Sequence, residues 1–176
     1  GCDSRNEYIY KFVSTAVWDP KDVGAGLVAG DKYLSEGRLY VAKFNADGSG
    51  EWIELALSDA RIAKHSAFKF TAQADIYVNT RHAADAVGAT PMDRPEWGAI
   101  NPRNGEIYFC LTNNNAANRT PSKVSAANPR AYMDTDGKKS AGNPNGHIIR
   151  FKETGSLSTA TSFTWDIFLF GAEEDA

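Results

Sequence analysis

Apolar and polar residues alternate in short runs along most of the chain, and each run is bounded by Gly, Asn or Asp. Alternation with a period of two is the mark of a half-buried strand. Glu7-Tyr8-Ile9-Tyr10-Lys11-Phe12-Val13 puts Tyr8, Tyr10 and Phe12 on one face and Ile9, Lys11 and Val13 on the other. Arg38 to Phe44 and Glu51 to Leu55 flank Asn45-Ala46-Asp47-Gly48-Ser49-Gly50. There the Asp-Gly pair supplies the positive φ that a hairpin turn needs. Trp97 to Ile100 and Glu106 to Thr112 flank Asn101-Pro102-Arg103-Asn104-Gly105 in the same way, and His147 to Lys152 and Ser162 to Phe170 form a third unit. Two stretches break the pattern. Residues 58–89 are rich in alanine and end near Gly88, which predicts one or two short helices. Residues 113–145 are polar and too long for a simple turn, which predicts a functional or mobile loop.

The fold class expected is therefore mainly β, in one domain spanning 1–176, with an inserted short helical segment. Antiparallel hairpins at this spacing suit a sandwich or part of a propeller. A propeller blade takes roughly 40–45 residues and a closed ring typically needs about 4–8 blades, so this chain is expected to form a partial β-propeller of two to three blades. Open strand edges in such an arrangement predict self-association.

Charge narrows the partners. The 19 Lys+Arg are balanced by 22 Asp+Glu, a formal net charge of -3, which argues against a nucleic-acid binder. No run approaches the roughly 20 apolar residues of a membrane helix, and the first residues lack the basic and apolar regions of a signal peptide. The chain opens at Gly1-Cys2-Asp3 without a Met, so its start is expected to be a boundary within a longer chain and says nothing about export. Cys2 and Cys110 could form one bridge, but two thiols make no disulfide framework. Cys110, inside Ile107-Tyr108-Phe109-Cys110-Leu111, reads as a packed apolar residue rather than a nucleophile.

The densest group of chemically useful residues is Met92-Asp93-Arg94-Pro95-Glu96-Trp97-Gly98. A guanidinium fork between hard oxygen ligands suits a phosphate held near a metal, with Arg94 on the oxyanion and Glu96 on the cation. The same residues also suit a surface ion pair at a strand entry, and spacing alone leaves both readings open. Other candidates carry less. Asp134-Thr135-Asp136-Gly137 opens like a calcium loop but has no closing Glu. His65 and His82 in the helical stretch and His147 at a strand start are expected to be structural. Trp18, Trp52, Trp97 and Trp165 each lie in or near an apolar strand and are expected in the core.

Longer motifs point to a family. DRPEWGAINPRNGEIYFCLTNN, then VSAANPRA, NPNGHIIRFKE and TSFTWDIFLF, resemble the PhoX-type alkaline phosphatases in the same order, and EYIYKFVS near the start is similar. Members are exported bacterial phosphomonoesterases built on a β-propeller, with calcium and iron in the active site. The resemblance implies that Glu96 is a metal ligand and that Arg94 binds the substrate phosphate. It makes Asp93 an orienting residue for Arg94 or a calcium contact, and Glu7 and Asp3 further carboxylates within reach of the metals. The family's iron also takes a cysteine thiolate from an upstream region, a role that Cys110 does not inherit.

The expectation is thus part of a periplasmic or secreted phosphatase acting on small phosphomonoesters, with little activity from this chain alone. One alternative is a calcium-dependent propeller hydrolase of lactones or phosphotriesters. Another is a non-catalytic binding module that uses residues 113–145.

Overall fold

We describe a computed structural model of the protein over residues 1, 3–135 and 140–172. Cys2, and with it any Cys2–Cys110 bridge, and the Asp136-Gly137 half of the calcium-loop motif lie outside the described residues. Twelve strands, in chain order, carry the fold among the described residues. They are β1 (Arg5–Glu7), β2 (Tyr10–Ser14), β3 (Gly37–Phe44), β4 (Ser49–Glu54), β5 (Met92–Asp93), β6 (Pro95–Ile100), β7 (Ile107–Leu111), β8 (Asn114–Asn115), β9 (Tyr132–Met133), β10 (Ala141–Asn143), β11 (His147–Glu153) and β12 (Ser162–Phe170). Helix α1 (Leu27–Leu34) lies before β3, and α2 (Ala60–Ala63), α3 (Gln73–Val78) and α4 (Thr80–Val87) lie between β4 and β5. No helix among the described residues is long and apolar enough to cross a membrane.

The chain is mainly β, and the three hairpins run together edge to edge in one seven-stranded antiparallel sheet of order β2-β3-β4-β12-β11-β7-β6. The Asp47-Gly48 turn closes β3 on β4 with Gly48 at φ 82°. Asn101 N–H donates to the Glu106 carbonyl at 2.8 Å across the β6–β7 turn. The edge strands β2 and β6 are continuations of β1 and β5, and β1 pairs with β5 through Arg5 opposite Asp93 and Glu7 opposite Met92. One end of the open sheet is therefore tied back on itself.

Alternation assigns the two faces. Ile9, Tyr40, Ala42, Phe44, Trp52, Leu111, Ile149, Phe151 and Phe163 fill one core. Val41 and Leu55 turn the other way, onto Ile62, Phe70, Ile76, Ala83, Ala84 and Val87 of the helical segment. A one-residue slip in β3 would exchange these faces, so register is held by burial on both sides. Gly50 shows how tight the first core is, since a Cβ there would stand 2.0 Å from the Phe163 ring. The helical stretch holds three short helices, and Gly88 ends the last in a left-handed conformation at φ 70°.

Three local outcomes differ from expectation. Trp52 is buried, but Trp18 and Trp97 are 62% and 76% exposed, because Trp18 lies beyond the end of β2 with Tyr33 against it and no second layer covers Trp97 on β6. The 113–145 stretch contains a small sheet of order β8-β10-β9, so part of it is ordered by pairing with itself. Helix α1 buries none of its residues and was invisible to periodicity, since Gly30 interrupts a segment with no covered face.

Candidate active site

The DRPEW segment spans the junction of β5 and β6. Arg94 sits between them with φ 56°, a left-handed conformation rare for a residue with a side chain and disfavoured before proline. Such strain persists only where the surroundings over-determine it. Here Arg94 N–H donates to the Met92 carbonyl at 3.1 Å, and the Arg94 carbonyl accepts from Thr112 N–H at 3.2 Å. The kink sends the side chains of two successive residues to opposite environments. Asp93 is fully buried, while the Arg94 side chain is 27% exposed.

On the open side, Arg94 Nη2 lies 2.8 Å from Asp3 Oδ1 and 3.7 Å from Glu96 Oε1. Its Nη1 donates to Asn113 Oδ1 at 3.3 Å, and Thr112 Oγ1 donates to Glu96 Oε1 at 3.0 Å. Asp3, Arg94 and Glu96, three of the residues named from sequence, therefore meet. One guanidinium against two carboxylates leaves the cluster net negative. A phosphate dianion would be repelled from it unless cations offset the carboxylates.

On the buried side is an anchor. Asp93 Oδ1 accepts from Arg119 Nε at 3.0 Å and from Asn114 Nδ2 at 2.7 Å, and its Oδ2 accepts from Asn143 Nδ2 at 2.9 Å. Arg119 is 6% exposed, so this is an ion pair out of water, and its second arm donates to the Lys123 carbonyl. Asn143 Nδ2 also faces His147 Nδ1 at 3.2 Å, and His147 Nε2 lies 2.7 Å from the Ala127 carbonyl. A carbonyl can only accept, so the proton is on Nε2 and Nδ1 accepts from the amide. Burial holds the His147 pKa below its ordinary value, which keeps the ring neutral.

The structure does not bring Asp93 and Glu7 into the Arg94 cluster. Asp93 is spent on Arg119 and two amides behind the kink, which suits the orienting role and leaves no open face for calcium. Glu7 is 6% exposed and accepts from Arg81 Nη1 at 3.2 Å, tying β1 to α4. Beside it, burial and a hydrogen bond to Asp85 push the Tyr8 phenol pKa upward. Cys110 is half-buried in β7 opposite Ile148 and forms no disulfide among the described residues, and His82 stacks on Phe68 in the helical segment. Sequence reasoning missed Thr112, Asn113, Asn114, Arg119 and Asn143. The run Thr112-Asn113-Asn114-Asn115 straight after an apolar strand was the available signal, since successive amide side chains there have no apolar face to cover.

Among the described residues no three His, Cys, Asp or Glu side chains converge as a metal shell. Calcium takes about 6–8 oxygen ligands. Asp3 and Glu96, already drawn to Arg94, do not by themselves fit calcium or iron.

A family model for the alkaline phosphatase PhoX matches residues 1–176. The chain belongs to the PhoX alkaline phosphatase family. Among solved structures, the PhoX protein of Pseudomonas fluorescens in complex with vanadate, a transition state analogue, is similar with 34% sequence identity and a TM-score of 0.68. The match covers 94% of this chain and 27% of that one, so the chain spans about a quarter of the length of the protein it resembles. No curated protein sequence matches. In this chain the kink at Arg94 combines a partly exposed guanidinium, two carboxylates and a rigid backing.

Proposed function

We propose that this chain carries the phosphate-binding arm of a metal-dependent phosphomonoesterase of the alkaline phosphatase type. The observation that supports the reading best is Arg94 itself, held in a left-handed turn with Asp3 and Glu96 on its flanks and Asn113 bracing one nitrogen. A braced planar fork matches two equatorial oxygens of a phosphoryl group in its transition state, and a group oriented beforehand need not reorganise during reaction. The related Pseudomonas protein was captured with vanadate, a transition state analogue, and an oxyanion of that shape suits a guanidinium fork.

Glu96 is the first carboxylate that would take a cation and Asp3 the second, with calcium and iron as the cations the family likeness implies. The net negative charge of the cluster is the reason cations are needed at all. Asp93 and Arg119 act behind the site, fixing the backbone from which Arg94 projects. Small phosphomonoesters are the substrates, and the periplasm or cell exterior is the place of action.

The test is turnover of a chromogenic phosphomonoester by the full-length protein with calcium and iron supplied. Arg94→Ala is expected to lower kcat by roughly 10²–10³, the usual effect of removing one transition-state donor, and Glu96→Ala to lower it by a comparable factor through loss of a cation ligand. A loss below about threefold in both variants, with folding intact by circular dichroism, would refute the assignment. This chain alone is expected to show little turnover. Hydrolysis of a lactone that survives Arg94→Ala would favour the lactonase alternative instead.

A further inference from the structure

Arg5 is the arginine that combines an exposed side chain, a place beside the Arg94 kink and a cavity wall, whereas Arg103 sits in the β6–β7 turn and Arg130 donates to the Gly171 carbonyl and lies over Tyr132 and Phe170. Arg38, Arg61, Arg81, Arg94, Arg119 and Arg150 each face a carboxylate. Arg5 is exposed and takes no ion pair among the described residues. It lies opposite Asp93 in the β1–β5 pair, one residue from Arg94. Its side chain lines an open polar cavity of about 420 Å³ together with Asn113, Asn114, Asn115, Ser140 and Pro144. Among the described residues no carboxylate lines this cavity. Its volume falls in the range of small-molecule sites, roughly 300–1,000 Å³.

The cavity and the Arg94 cluster share Asn113. That residue accepts from Arg94 Nη1 at 3.3 Å and also forms part of the cavity wall. A phosphoryl group on Arg94 therefore has the cavity beside it, and the alcohol portion of a phosphomonoester can extend over Asn113 toward Arg5. The two ends differ in charge. The Arg94 end is net negative, while the far end offers a guanidinium, amides and a hydroxyl with no counter-charge among the described residues. The Asp93 carboxylate nearest to Arg5 in register is neutralised from behind by Arg119, so it does not cancel the Arg5 field.

We propose that Arg5 is a specificity-determining residue for phosphomonoesters whose alcohol part carries a second anionic group, a carboxylate or another phosphate. The proposal rests on the phosphomonoesterase reading, because Arg94 must hold the first phosphate for the leaving portion to reach Arg5.

Glycerol 3-phosphate and 3-phosphoglycerate test it, since they are alike in size and differ in whether the far end is a hydroxyl or a carboxylate. The full-length protein, with calcium and iron supplied, is titrated with each, following the arginine Nε–Hε signals by NMR. The Arg94 signal should respond to both probes and the Arg5 signal to 3-phosphoglycerate alone. Arg5→Gln should weaken 3-phosphoglycerate by roughly five- to tenfold, the effect of one charge-assisted contact at a partly solvated site, and leave glycerol 3-phosphate within about twofold. Because Arg5 is exposed, that variant should keep its fold. If Arg94 responds to both probes but Arg5→Gln changes neither, or changes both equally, the proposal is overturned while the phosphatase reading stands. If Arg94 responds to neither, both are overturned. A response of Arg5 without Arg94 overturns the proposal as stated, since the anion would then bind without a phosphate beside it.

Discussion

Replacing Arg119 with Met should cost this protein a large part of its stability. The guanidinium is 6% exposed and Asp93 is fully buried, so Arg119→Met strands a carboxylate in a site without water. Breaking a buried pair from one side typically costs about 3–5 kcal/mol, because the remaining charge keeps its desolvation penalty. Asn114 at 2.7 Å and Asn143 at 2.9 Å still donate to Asp93, which places the loss at the lower end, about 3 kcal/mol. With a urea slope of about 1–3 kcal/mol/M, the unfolding midpoint should fall by roughly 1–3 M. Equilibrium unfolding followed by tryptophan fluorescence at pH 7.5 gives the number directly. The double variant Asp93→Asn with Arg119→Met removes the stranded charge, so it should recover about 1–2 kcal/mol relative to the sum of the single changes. A loss below about 1 kcal/mol in Arg119→Met, or simple additivity in the double variant, would show that the network is not the anchor described.

Two further tests address its surroundings. The folded-state pKa of His147 is lowered, so in acid the unfolded state binds the proton first. Its stabilising contribution is present above the ordinary value of 6.5 and is lost as pH falls through the lowered folded value. Urea midpoints should decline between neutral and mildly acidic pH, and His147→Gln should flatten that decline; equal slopes would contradict the buried neutral ring. Gly146 has φ 65°, and a Cβ there would meet the Leu111 carbonyl at 2.0 Å and that of Thr112 at 2.5 Å. Gly146→Ala should therefore cost about 2–3 kcal/mol in the same assay, and a cost near zero would mean that the β7–β11 approach is looser than drawn.

The elements that were readable share one property, which is that their signal is local. The strands of the three hairpins were visible because alternation and Asp-Gly or Asn-Gly turns act over a few neighbouring residues. Gly88 as a helix stop was legible for the same reason. At the site, Arg94 and Glu96 were marked by a rare local cluster and by motif resemblance, and Asp3 lay close to the EYIYKFVS match. Arg119 was not, because it stands 26 positions from Asp93, and Asn143 stands 50 away. Nothing in the composition around either residue distinguishes a buried partner from a solvated one. Trp97 was misplaced for a related reason: an apolar strand position says that a face can be covered, and only packing decides whether it is, while Trp18 falls outside any strand.

By itself, then, the sequence determined the mainly β class, the hairpin turns, the helical segment between β4 and β5 and the chemistry available at Arg94. Tertiary structure alone decided that the hairpins share one sheet and that β1 meets β5 across more than eighty residues. It alone decided that Asp93 faces inward while Arg94 faces out. Those outcomes depend on which distant groups exclude water from one another, and burial is a property of the assembled chain rather than of any stretch of it.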